Sequence, residues 1–234
     1  MKIIIEDQPK KEHYDLVSTI EKYKQYKKFL VDQNSDDVLL ETALVGGLEK
    51  LNQINYLFRK ALQLQFCLFH TLMIQATKDE NPEWEYEKDN KLILPKELFK
   101  SDQEFVFVIS GKTNKELTHE LIIYVESIYY FAFTINRIFD RIVGLKQFSP
   151  AGIRNVRNHI MEHAKVNNNN IHYSAKFCVS VTKGTILRTE KYVYSEELHK
   201  FTLEKTEIDK GLENNIKEFK QDLDNILTLR LSGK

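Results

Sequence analysis

Cysteine, glycine, proline and tryptophan are all scarce in this chain, and each shortage narrows what it can be. The two cysteines, Cys67 and Cys178, stand far apart, each inside an apolar run. They form no Cys-x-x-Cys pair and no Cys/His cluster, so neither a structural zinc site nor a disulfide framework is expected. They read as reduced core thiols in a cytoplasmic setting. Eight glycines and four prolines in 234 residues leave few turn positions, which favours long helices over a many-stranded sandwich. Net charge is absent too, since 34 Lys plus Arg balance 34 Asp plus Glu. A protein that coats nucleic acid by bulk electrostatics needs a basic surplus, so that class is excluded, while a local basic cleft is not. Met1–Pro9 has no apolar core long enough for a signal peptide. The most apolar stretch, Leu121–Val143, is interrupted by Glu126, Asn136, Arg137, Asp140 and Arg141, and reads as a buried helix with no membrane span. A Gly-rich phosphate loop, an HExxH pair and a Ser/His/Asp arrangement are all missing, so no cofactor and no metal is expected.

What remains is a globular composition, 42% hydrophobic and 29% charged, long enough for one substantial core and read as a single domain over 1–234. Glu12–Val31 spaces Leu16, Ile20, Tyr23 and Leu30 as an amphipathic helix. Ser35 and Asp36 are candidate caps for a second helix over Val38–Ala76, where Gly46-Gly47 marks a kink or a close helix contact and Asn81-Pro82 marks the end. Leu92–Leu94 and Phe105–Ile109 look extended. Thr113 or Asn114, with Glu116 behind, opens a helix running to about Leu145. Ser149-Pro150 reads as a cap followed by proline at the first helical position. That helix carries Ile153, Val156, Ile160 and Ala164 on one stripe and stops at Asn167–Asn170. The period then changes to two over Phe177–Thr182, Lys183-Gly184 turns the chain, and Ile186–Tyr194 returns, a β-hairpin. Thr206–Leu231, with Ile208, Leu212, Ile216, Phe219, Leu223 and Ile226 at steps of three and four, predicts a closing helix. The fold class is mainly α, with a small β-hairpin before the C-terminal helix.

One segment has the residue types for chemistry: Arg154-Asn155-Val156-Arg157-Asn158-His159-Ile160-Met161-Glu162-His163. At about 100° per residue, Arg157 and His163 lie roughly 120° apart and about 9 Å along a helix, within reach of one phosphate for a long guanidinium arm. An imidazole near neutral pKa can take the proton from a 2′-hydroxyl. An arginine fork can bind the phosphate and its developing charge, and an asparagine can orient either. The set suits phosphoryl transfer on RNA without a metal, and the 2′-hydroxyl would restrict it to RNA. A solvated helix face paired with Glu162 is the bland reading of the same residues.

The Arg-Asn-x4-His spacing late in a helical chain resembles the HEPN superfamily (higher eukaryotes and prokaryotes nucleotide-binding domain). The string Val156–His163 is similar to the Arg-Asn-x-Leu-Ile-Glu-His form found in bacterial groups of that superfamily. The resemblance implies an antiparallel helical bundle and a homodimer that joins two motifs in one cleft. In active members it implies a metal-independent endoribonuclease. Carried over, Arg157, Asn158 and His163 are the catalytic set, with Arg154, Asn155 and His159 in reserve. The family also implies a toxin or phage-defence setting, with an antitoxin or a nucleotidyltransferase as partner. The alternative is a non-catalytic helical module for dimerisation or partner docking. Weaker features are His70 as a core histidine, His119 at a helix start, and Tyr124, Tyr129, Tyr130, Phe131 and Phe133, read as core before stacking platform. Arg137 and Arg141 either widen a basic cleft or pair with Asp140 and Glu126.

Overall fold

A computed structural model of the chain describes residues 15–34, 37–78, 82, 87–88, 91–94, 105–108, 113–141, 152–156, 166–167, 171–180, 184–195, 197–208 and 211–232. These residues are mainly helical, with an antiparallel sheet ahead of the C-terminal helix. They fall into two compact units, one of Arg59–Tyr124 and one of the residues up to Phe58 together with those from Val125 onward.

In chain order, three long helices come before or between the two sheets: α1 (Val17–Gln33), α2 (Val38–Lys78) and α3 (Asn114–Arg141). Asp37 caps α2, its Oδ1 accepting the Leu40 N–H at 2.9 Å. The cap thus lies one residue beyond the expected Ser35/Asp36 pair, which falls outside the described residues. The start of α3 settles on Thr113 through a reciprocal capping box. The Glu116 N–H donates to Thr113 Oγ1 at 3.3 Å, and the Thr113 N–H donates to Glu116 Oε2 at 2.7 Å.

In the Arg59–Tyr124 unit the two apolar runs predicted as extended pair with each other. A three-stranded antiparallel sheet runs β1 (Glu87–Lys88), β2 (Lys91–Leu94), β3 (Phe105–Val108), with Lys91 opposite Val108 and Leu94 opposite Phe105. Cys67 and Leu68 of α2 are buried there.

In the other unit, Tyr23 of α1 meets Phe139 of α3 edge-on at 5.8 Å, and Tyr26 stacks on the same ring at 6.1 Å. A Cβ at Gly47 would collide with the Tyr23 hydroxyl and sit 3.3 Å from Ile138 Cδ1, whereas one at Gly46 meets nothing within 4 Å. Of the two roles open to the glycine pair, Gly47 therefore serves close helix packing. A short helical segment, α4, covers residues 152–156. The predicted hairpin is larger than expected and belongs to a sheet ordered β4 (Val166–Asn167), β5 (Ile171–Ser180), β6 (Gly184–Ser195), β7 (Lys200–Glu207). Ser180 is the register partner of Gly184, so Gly184 is the first residue of β6 and not the turn position expected of it, while residues 181–183 lie outside the described residues. Arg188 with Glu207, and Glu190 with Lys205, are register partners across β6 and β7, and each forms an ion pair at 3.7 Å.

The last helix, α5 (Leu212–Leu231), starts later than the predicted Thr206. Thr206 and Glu207 are held in β7, and Gly211 sits at φ 101°, a left-handed conformation that glycine adopts without a Cβ penalty. α5 packs along α1 and buries Leu212, Ile216, Phe219, Leu223 and Leu227, each contributing about 1.5–3 kcal/mol of burial. Among the described residues no helix is long and apolar enough to cross a membrane.

Candidate functional site

The described part of the Arg/Asn/His segment is α4, and its residues divide cleanly by polarity. Ile153 and Val156 are buried, while Arg154 and Asn155 are exposed. A three-residue step returns nearly to the same side of a helix, so the two apolar residues anchor α4 and the Arg-Asn pair between them is turned to water. Arg157, Asn158, His159 and His163, with Ser149-Pro150, Ile160 and Ala164, lie outside the described residues. Of the reserve set, then, Arg154 and Asn155 have a defined place.

That place is held by a buried polar node. Asn215 of α5 is 2% exposed, and its Nδ2 donates to the Tyr129 hydroxyl of α3 at 2.8 Å. The Tyr129 ring stacks on Phe177 of β5 with centroids 5.9 Å apart. Gly152 opens α4 against the same amide. A Cβ there would lie 2.5 Å from Asn215 Oδ1, 3.2 Å from its Cγ and 3.6 Å from Glu218 Oε2. Gly152 therefore lets α4 approach α5 closely, and Tyr129 holds the amide it approaches. Residues from α3, α4, α5 and the sheet converge at this point, two positions before the exposed Arg154. Sequence reasoning placed Tyr129 in the core and missed Asn215. The available signal was an asparagine in phase with Leu212, Ile216 and Phe219 on the buried stripe of α5.

The other candidates separate by exposure. His119 is exposed, as expected of a histidine at the start of α3, and the side chain of His70 lies outside the description. Burial pushes the Cys67 thiol up to about 12, so it stays protonated at neutral pH and is no nucleophile. Cys178 is half-buried. Among the described residues no group of three His, Cys, Asp or Glu side chains could hold a metal ion.

The aromatic set on α3 is mixed. Tyr129 is fully buried, Phe131 and Phe133 are half-buried, and Tyr130 is 55% exposed. Arg137 lies over the Phe133 ring at 5.8 Å from its centroid, and Lys50 of α2 lies over Phe131 at 4.5 Å. The side chain of Arg141 is outside the description. Tyr124, in the other unit, donates its hydroxyl to Glu120 one turn back on its own helix.

Compared with models of protein families, with curated proteins and with solved structures, the chain matches none.

Proposed function

We propose that this chain is a HEPN-like protein that cuts RNA without a metal, working as a homodimer in the cytoplasm. The observation that carries the reading is the polarity of α4, with Ile153 and Val156 buried and Arg154 and Asn155 turned to solvent. A core-anchored helix that presents the first Arg-Asn pair of a doubled Arg-Asn motif is what a rigid phosphate site requires.

In the proposed reaction His163 takes the proton of a ribose 2′-hydroxyl. The 2′-oxygen then attacks the adjacent phosphorus, the bond to the 5′-oxygen breaks, and that oxygen takes a proton from a general acid, for which His159 or a partner's imidazole serves. The products are a 2′,3′-cyclic phosphate and a free 5′-hydroxyl. Arg157 clamps the non-bridging oxygens as charge develops, and Asn158 orients the phosphate or the imidazole. Arg154 and Asn155 fill the same roles in the reserve arrangement. A toxin or phage-defence role, with an antitoxin or nucleotidyltransferase partner, follows from the family likeness alone.

The test is the purified chain against single-stranded RNA in a metal chelator. Arg157→Ala and His163→Ala should each lower cleavage by about 10²–10⁴-fold while circular dichroism and oligomeric state stay unchanged. Equal activity in wild type and both variants overturns the assignment.

A second reading is a non-catalytic docking module. It is favoured by apolar side chains in water, Leu39 at the start of α2 and Phe201 and Leu203 on β7, all exposed. Wild-type protein that neither cleaves RNA nor slows growth would make this the better account.

A further inference from the structure

The surface of α3 around Tyr130 combines rings and cations in a way that suits one ligand class. At about 100° per residue, Phe133, Arg137, Tyr130, Thr134 and Phe131 follow one another around roughly 160° of the helix. Tyr130 stands in the middle, exposed, and meets the Phe131 ring edge-on at 6.0 Å. Each flanking phenylalanine carries a cation, Arg137 over Phe133 at 5.8 Å and Lys50 over Phe131 at 4.5 Å. Thr134 is tied back to its own helix, its Oγ1 donating to the Tyr130 carbonyl at 2.9 Å, so it leaves the ring of Tyr130 clear. Two acids of α3 lie beside the strip in helical phase, Glu126 a turn towards the N-terminal end and Asp140 a turn beyond Arg137.

We infer that this strip is a binding site for single-stranded RNA, in which a base stacks on Tyr130 while Arg137 and Lys50 meet the flanking phosphates. The inference rests on the RNA reading above and adds to it where the strand is gripped. A ring face accepts any base, and cations already parked on neighbouring rings lie beside a stacked base with little further ordering. An apolar protein partner would gain little from two charged groups at the edges of the patch. A strand with a phosphate on each side of every base uses all three features. The strip also reconciles RNA binding with a chain of zero net charge, because two local cations and stacking replace a basic surface.

The experiment is fluorescence anisotropy with a labelled oligouridylate, carried out in a His163→Ala background, which removes the proton acceptor and keeps the phosphate clamp, so that the probe survives. Tyr130→Ala should raise Kd about tenfold, and Tyr130→Phe, which keeps the ring, should stay within about twofold of the parent. Arg137→Glu should weaken binding and flatten its salt dependence, and Glu126→Gln should tighten it. Binding unchanged by both Tyr130→Ala and Arg137→Glu overturns the site. If wild type still cleaves RNA in that case, only the strip is lost. If wild type neither cleaves nor binds, the RNA reading falls and the strip falls with it.

Discussion

Gly152 and Asn215 offer the sharpest test of how α4 is seated. A methyl group at Gly152 would lie 2.5 Å from Asn215 Oδ1 and 3.2 Å from Cγ, well inside van der Waals contact. The amide is 2% exposed and tied to the Tyr129 hydroxyl at 2.8 Å, so it has little room to yield. Overpacking of this kind costs about 1–3 kcal/mol, against a gain of up to about 1 kcal/mol from alanine's better helix propensity. Gly152→Ala should therefore destabilise the protein by about 1–2 kcal/mol. Asn215→Ala removes the hydrogen bond and should cost about 1–3 kcal/mol. In the double variant the truncated side chain has vacated the space the methyl needs, so adding Gly152→Ala to Asn215→Ala should be neutral or stabilising. The cycle predicts a favourable coupling of about 2 kcal/mol, read from urea unfolding followed by circular dichroism. Additivity within about 0.5 kcal/mol would refute the contact and the seating of α4 inferred from it.

Three further perturbations test the rest of the fold. The Tyr23 hydroxyl is buried with no hydrogen-bond partner among the described residues, so Tyr23→Phe should raise the urea midpoint, by up to about 1–3 kcal/mol of stability; a loss would show that the hydroxyl is bonded. Thr113→Ala removes half of the capping box and should cost about 1 kcal/mol, with no change expected from the neighbouring Lys115→Ala. Cys67 is protonated in the fold up to about pH 12, against an ordinary thiol value of 9.0. Its folded pKa is the higher one, so its contribution is intact below the unfolded value and is lost as pH rises between the two. The stability of wild type relative to Cys67→Ala should fall by about 1.4 kcal/mol per pH unit in that window; parallel pH profiles would contradict the burial.

The parts of the fold that were legible in the chain are those where one period dominates. The Leu44, Leu51, Ile54 and Phe58 positions of α2 and the Leu212, Ile216, Phe219 and Leu223 positions of α5 are buried as their spacing predicts, whereas of the five α3 aromatics read as core only Tyr129 is fully buried and Tyr130 is exposed. Strand β7 was not legible. All eight of its residues are exposed, so no buried face marks a period of two, and Thr206 and Ile208 fit the helical spacing of the residues after them. What makes it a strand is pairing with β6, Tyr194 opposite Phe201 through Arg188 opposite Glu207, which is tertiary information. The site was legible in the same uneven way. The motif's residue types could be read directly, and the stripe of Ile153 and Val156 correctly left Arg154 and Asn155 on the solvent side. The node beneath them could not be read, because Asn215 and Tyr129 are 86 residues apart and nothing local to either marks the bond.

The central claim is that the 2′-hydroxyl is the nucleophile, and a single-ribose substrate tests it most directly. A DNA oligonucleotide carrying one ribonucleotide, incubated with the wild-type chain in chelator, should be cut only on the 3′ side of that ribose and should end in a cyclic phosphate. The same oligonucleotide with a 2′-O-methyl at that position should remain whole. Cutting at the deoxy positions, or of the methylated strand, would contradict the proposed chemistry.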